Sequence, residues 1–354
     1  MRVGMAKGRK RHQDPVVGII ANPVSARDIR RVIANATALQ ITDRANIVLR
    51  VLSCLKSCGV SKVVMMPENG GIRHHVRRGI DRAENQGHEQ FPVLEHLDYK
   101  ISGRVDDTIK AARLMQEMGV AAIVVLGGDG THRAVISACG DVPISGISTG
   151  TNNAFPEARE PTITGLAVGL AVSGRIPART AFIPNKKLVV SINGQEDIAL
   201  VDVAVVTERY VGARALWRTE TFRELFVTFA DPEVIGMSAI AGLLKPVSRL
   251  DSHGLHVKLA PEDDAAIVLD TPIAPGYMRG IGIKSFRTMS AGKKYRPGIS
   301  GGSIALDGER EWSFSEGDDV TVELVQDAFK TVNVSACMRY AAKHGLMRKT
   351  KHLQ

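Results

Sequence analysis

The chain has 354 residues, room for two domains of roughly 100–200 residues each, and its 44% hydrophobic content suits a packed globular protein. The formal charge is +9, but residues 1–13 hold five Lys/Arg and residues 330–354 hold six, with no acid in either, so the body between carries 35 bases against 37 acids. Such tails, with no recognition motif or interleaved aromatics, argue against a nucleic-acid binder, and no apolar run approaches the ~20 residues of a membrane-crossing helix. Residues 1–13 are basic but lack the apolar segment of a signal peptide. Cys54, Cys58, Cys139 and Cys337 show no C-x-x-C spacing and read as small buried hydrophobes. A reducing cytoplasm is expected, and the tails read as solvated.

In chain order, Val16–Ala21 predicts a buried strand that ends at Asn22-Pro23, with Ser25 as a cap for a helix beginning near Arg27. Asn46–Ser57 predicts an amphipathic helix closed by Gly59, Lys62–Met66 a strand, Gly70–Arg82 a basic helix and Phe91–Tyr99 a further strand. Val105–Met118 predicts a helix ending at Gly119, and Val120–Leu126 a β-branched strand buried on both faces. Val142–Ile147 and Thr162–Ser173 continue the alternation as strand and helix. Strand alternating with helix predicts an open, mostly parallel α/β sheet over residues 14–180, whose ligands sit at the carboxyl ends of the strands.

After Pro177 the apolar period changes to two. Lys187–Ile192 and Asp197–Val206 predict a hairpin about Asn193-Gly194. Leu255–Leu259, Ala265–Leu269, Gly280–Phe286 and Ser303–Leu306 read as strands, and Asp307-Gly308 as a second hairpin turn leading to Glu311–Phe314 and Val320–Leu324. This predicts a mostly β domain over residues 181–325, interrupted by helix over Glu208–Leu244. Ser335–Lys343 predicts a last helix, in a segment 326–354 that returns to the first domain.

The chemistry concentrates where the Val120–Leu126 strand stops, at Gly127-Gly128-Asp129-Gly130-Thr131. Strand, glycine turn and helix start set backbone N–H groups and a positive helix end where a phosphate can sit. Glycines there let the backbone approach the ligand without a Cβ in the way. Asp129 would repel a phosphate unless it holds Mg²⁺ or takes a proton from an attacking hydroxyl. The plainer alternative is a tight βα turn capped by Asp and Thr, with no ligand. Ser148-Thr149-Gly150-Thr151-Asn152-Asn153-Ala154-Phe155-Pro156 follows the next strand and is rich in hydroxyl and amide donors, so it faces the same crevice or is an ordinary polar loop. G-x-x-x-x-G-K-[ST] and G-x-G-x-x-G are both absent, which excludes a P-loop enzyme and argues against a standard Rossmann cofactor site. The ten histidines show no zinc spacing.

Residues 127–131 resemble the G-G-D-G-T signature of the NAD-kinase, diacylglycerol-kinase and phosphofructokinase superfamily. Asn22-Pro23-x-Ser25 resembles that group's strand-one motif, and residues 303–325 are similar to its C-terminal hairpin. Together with residues 148–156, the pattern is most similar to the acetoin-catabolism protein X family of ATP-NAD-kinase-like proteins. The resemblance implies an α/β domain and a β-rich domain with the site in the cleft between them. It implies Asp129 as base or metal-organising acid, with Gly127, Gly128, Gly130 and Thr131 cradling phosphate and Asn22 and Ser25 beside the nucleotide. Thr149, Gly150, Thr151, Asn152 and Asn153 are nearer to the G-T-x-N-D of lipid kinases than to the NAD-kinase run. The NAD-kinase motif A-L-N-[ED]-V reads Ala199-Leu200-Val201-Asp202-Val203 here, so Asp202 is the candidate acceptor-binding acid while the amide is replaced. Val201 cannot make an amide's hydrogen bonds, and an unpaired ligand polar group costs about 1–3 kcal/mol. Three readings stay open: an ATP- and Mg²⁺-dependent kinase for NAD, a kinase for another small or lipid hydroxyl compound, and a non-catalytic nucleotide-binding protein. A homo-oligomer, dimer or tetramer, is expected.

Overall fold

The computed structural model describes residues 14–23, 39–88, 90–149, 153–208, 221–308 and 310–349. Five parallel strands open the first sheet: β1 (Val16–Ala21), β2 (Lys62–Met65), β3 (Val93–His96), β4 (Ala122–Gly127) and β5 (Ile144–Ser148), in spatial order β3-β2-β1-β4-β5. Helices α1 (Ile41–Ser57), α2 (Ile72–Asn85) and α5 (Pro161–Val172) pack on one face, and α3 (Val105–Glu117) and α4 (Asp129–Ile136) on the other. Cover on both sides is why β4 is apolar and buried at every position. α1 and α5 approach closely through small residues: a Cβ on Gly165 would lie 2.9 Å from Cys54 Cβ, and one on Gly169 2.6 Å from Cys58 Cβ. Cys54 and Cys58 are packing atoms in that contact, and burial pushes both thiols up, Cys54 to about 11.

The change of pattern after Pro177 marks the start of antiparallel pairing rather than of a new sheet. After the short α6 (Ala178–Ala181), β6 (Phe182–Ile192) and β7 (Gln195–Ala199) form the hairpin about Asn193-Gly194. Both turn residues have positive φ, 52° and 82°, as a two-residue hairpin of this hand requires. β6 pairs with the long strand β16 (Val320–Val332), which reaches β5 at Thr331 and Ile144, so β16-β6-β7 extends the first sheet. The last helix α8 (Val334–Lys343) buries Val334, Cys337 and Ala341 in the first sheet's core.

The second sheet is antiparallel, in order β11-β12-β10-β9-β8-β14-β15. Its strands are β8 (Asp202–Val206), β9 (Phe222–Val227), β10 (His253–Ala260), β11 (Ile267–Ala274), β12 (Tyr277–Ser290), β14 (Gly302–Leu306) and β15 (Arg310–Phe314); the short β13 (Lys294–Tyr295) pairs with β16. Val203, Val205, Phe226, Ile304 and Leu306 pack on Leu188, Val190, Val322 and Leu324 of the first sheet's extension. The opposite face is covered by α7 (Met237–Leu244) through Ile240 and Ala241.

Two local expectations are corrected. Asp197–Val206 is not one strand: the chain leaves the first sheet after Ala199 and enters the second at Asp202. Glu208–Leu244 is not a continuous helix, because Phe222–Val227 is a strand and the helix is confined to Met237–Leu244; residues 209–220 lie outside the described residues. β9 pairs through a bulge opposite Val205/Val206, and the extra residue puts Phe222 and Leu225 on one face at a helix-like separation of three.

Candidate functional site

The strand order reverses between β1 and β4, and the loops at their carboxyl ends open the crevice where an α/β sheet takes its ligands. From β1, Asn22 donates its backbone N–H to Leu126 O at 3.3 Å and its amide Nδ2 to Thr131 Oγ1 at 3.5 Å. From β4, Gly128 caps α4 and Asp129 is the helix's first residue, where a negative charge meets the positive helix end. The glycines are dictated by space. A Cβ on Gly127 would lie 2.5 Å from Thr131 Cβ, and one on Gly128 would lie 2.9 Å from Asn153 Oδ1. From β5, Thr149 donates its N–H to Gly127 O at 3.3 Å, and Asn153 Nδ2 donates to Ser148 Oγ at 2.9 Å.

Asp129 is 9% exposed and organises the neighbouring loop: Oδ2 accepts from Ala154 N at 3.1 Å and Oδ1 from Phe155 N at 2.9 Å. Arg249, on the loop between α7 and β10, donates Nη2 to the carbonyls of the same two residues, Ala154 at 2.7 Å and Phe155 at 2.8 Å. Its guanidinium carbon lies 4.1 Å from the Phe229 ring centroid and 5.1 Å from that of Phe155. Beneath β1, the buried Arg44 of α1 donates Nη1 to Asn22 O at 2.8 Å and to Thr149 Oγ1 at 3.3 Å, tying two of the strand-end loops together.

Behind the glycine turn, His132 is fully buried with Nδ1 donating to Gly128 O at 2.8 Å. A carbonyl only accepts, so Nδ1 carries the proton and Nε2 is the bare nitrogen; it has no hydrogen-bond partner. Burial lowers the imidazole to about 4, and Arg249 pushes the same way, so the ring is neutral. A Cβ on Gly146 would lie 2.6 Å from Nε2, which keeps that strand position a glycine.

One turn of α4 beyond Asp129, Arg133 Nη1 lies 3.4 Å from Asp197 Oδ2, and its Nε lies 4.0 Å from Asp307 Oδ2. Asp307, at φ 48° in the β14–β15 turn, faces the place where the chain crosses between sheets. Its carboxylate accepts the N–H groups of Leu200 at 3.0 Å, Val201 at 2.8 Å and Asp202 at 3.2 Å. Burial pushes this carboxyl up, against those donors and Arg133, which pull it down.

The structure thus brings Asn22, Gly127, Gly128, Asp129, Gly130, Thr131, Thr149 and Asn153 to one crevice. Ser25, Gly150, Thr151 and Asn152 lie outside the described residues. Asp202 is buried at 7% exposure within the Asp307 knot, and Val201 is 1% exposed in an apolar cluster with Phe155, Phe229 and Phe329. Sequence reading missed Arg44, His132, Arg249 and Asp307. Arg44 left one signal, a charge on the apolar face of α1 beside Ala45 and Val48.

Residues 17–174 match the ATP-NAD kinase N-terminal domain, and residues 186–327 match the acetoin catabolism protein X C-terminal domain. Over 352 residues the chain is 52% identical to acetoin catabolism protein X of Cupriavidus necator, covering 98% of each protein. With the glycine turn at the switch point and the β-rich second sheet, these matches show that the chain belongs to the acetoin catabolism protein X family, built on an ATP-NAD-kinase N-terminal domain.

Proposed function

We propose that the chain is an ATP-dependent phosphotransferase that moves the γ-phosphoryl group of ATP to a hydroxyl acceptor. The observation that carries this reading is the turn at residues 127–131, where backbone stripped of Cβ atoms meets a helix start, with Asp129 as its acid. The α4 N–H groups with the Thr131 and Thr149 hydroxyls would hold phosphate oxygens. Asp129, whose two oxygens accept the N–H groups of Ala154 and Phe155, is the acid that would take the acceptor's hydroxyl proton. Asp129 is also the acid that would face Mg²⁺ carried by the nucleotide, an ion that neutralises charge on the phosphoryl oxygens when bound. Among the described residues no group of three His, Cys, Asp or Glu gathers as a protein-held metal site.

NAD is the acceptor that the N-terminal match suggests, and Val201 argues for another. Its side chain is sealed in the apolar cluster, and the N–H groups of residues 200–202 are already taken by Asp307. A dinucleotide would find no amide there. The relative's name places that protein in acetoin catabolism, and a small hydroxy ketone or diol is the acceptor class we infer as the second reading. A cytoplasmic homo-oligomer completes the proposal.

The test is ATP consumption by purified protein with Mg²⁺, offered NAD, NADH, diacylglycerol, acetoin and related diols in parallel. Turnover with NAD supports the first acceptor, and turnover only with a small hydroxyl compound supports the second. Nucleotide binding without turnover on any of them points to a non-catalytic protein.

A further inference from the structure

The Ala154–Phe155 peptide plane lies between two charges from different parts of the molecule. Its N–H, that of Phe155, donates to Asp129 Oδ1 at 2.9 Å, and its C=O, that of Ala154, accepts from Arg249 Nη2 at 2.7 Å. The flanking peptides repeat the pattern, with Ala154 N on Asp129 Oδ2 and Phe155 O on Arg249 Nη2. Each peptide dipole therefore points its positive end at the carboxylate or its negative end at the guanidinium, and aligned groups of this kind polarise one another.

Arg249 is itself held. Its guanidinium is flanked by the Phe155 and Phe229 rings. Its loop is held on both sides of Arg249 by Lys186 of β6, whose Nζ donates to Ser248 O at 3.1 Å and to His253 O at 2.6 Å. Asp129 alone would leave residues 154 and 155 attached at one edge only, next to a polar stretch rich in turn-forming residues.

We propose that Arg249 is a positioning residue for Asp129, acting through the Ala154–Phe155 peptide groups. It sets the carboxylate's direction from the far side of the cleft without touching the reacting atoms. This rests on the phosphotransferase reading for its kinetic consequence, while the structural link stands by itself. The chain of contacts also couples the second sheet to the chemistry: the loop between α7 and β10 must be seated for Asp129 to be aimed.

The experiment compares wild type with Arg249→Gln and Arg249→Lys by backbone amide hydrogen exchange at Ala154 and Phe155, MgADP binding and steady-state kinetics. In Arg249→Gln the two amides exchange about tenfold faster or more, as local opening becomes easier. MgADP affinity stays within a few-fold, and kcat falls by about 100-fold, the scale of a misplaced catalytic group. Arg249→Lys keeps a donor for one carbonyl and falls between, and added guanidinium restores part of the rate of an Arg249→Ala protein. Unchanged exchange at both amides overturns the proposal, as does a loss that falls wholly on nucleotide affinity, which would make Arg249 a ligand contact. If the wild type shows no turnover with any acceptor, the phosphotransferase reading fails while the exchange rates still decide this one. If Arg249→Gln does not fold, Arg249→Lys carries the same comparison.

Discussion

Replacing Asp307 tests how the two sheets are joined. Its carboxylate is the acceptor for three consecutive buried N–H groups, those of Leu200, Val201 and Asp202, at the point where the chain leaves one sheet for the other. Asp307→Ala strips all three, and each orphaned buried donor costs about 1–3 kcal/mol. Alanine at φ 48° adds roughly 1 kcal/mol of backbone strain, since only short polar residues and glycine visit that region easily. Partial relaxation keeps the total below the sum, at about 4 kcal/mol, a large part of the 5–15 kcal/mol that holds typical domains folded. Asp307→Asn tolerates the same φ and retains Oδ1, which accepts from all three donors at 3.2 Å or less. It loses the charge facing Arg133 and should cost about 1–2 kcal/mol. Equilibrium urea unfolding of both variants measures the difference. The reasoning is refuted if Asp307→Ala is no less stable than Asp307→Asn, because the stabilisation would then reside in charge and not in the hydrogen bonds.

Further outcomes follow from other buried groups. His132 titrates near 6.5 when unfolded and at about 4 when folded, because burial penalises its charged form. Its contribution is therefore complete above pH 6.5 and disappears as pH falls toward 4, by about 3 kcal/mol. Urea unfolding of wild type and His132→Asn at pH 7, 5.5 and 4.5 should show the variant's smaller acid slope; equal slopes would contradict the assignment. Gly127→Ala drives a methyl group into Thr131 and should cost about 1–3 kcal/mol of stability. It should weaken ATP binding by calorimetry more than Gly146→Ala, whose clash with His132 lies behind the turn; the reverse ranking would displace the phosphate site.

The α/β half was legible because its signals are local. β1 is a β-branched run with the bounds expected, and β4 differs by a residue or two at its ends. The crossing at Leu200-Val201 was not, since Ala199, Val201, Val203 and Val205 continue one apolar alternation whichever sheet each joins. The bulge at β9 erased the period of two that would have marked it as a strand. In the crevice, the glycine turn advertised itself by composition. Arg249 and Asp307 did not, because their partners sit 94 and 105 or more positions away in sequence and an Asp-Gly turn looks the same whether or not its carboxylate holds another strand.

The central claim is that Asp129 serves phosphoryl transfer, and the most direct test follows γ-labelled ATP into product with Mg²⁺, comparing wild type with Asp129→Asn across the acceptor panel. The account predicts a labelled phosphorylated hydroxyl compound with wild type and a loss of about 10²-fold or more with Asp129→Asn, while MgADP binding by calorimetry persists. Equal transfer by both proteins, or none by wild type while the nucleotide binds tightly, would contradict it.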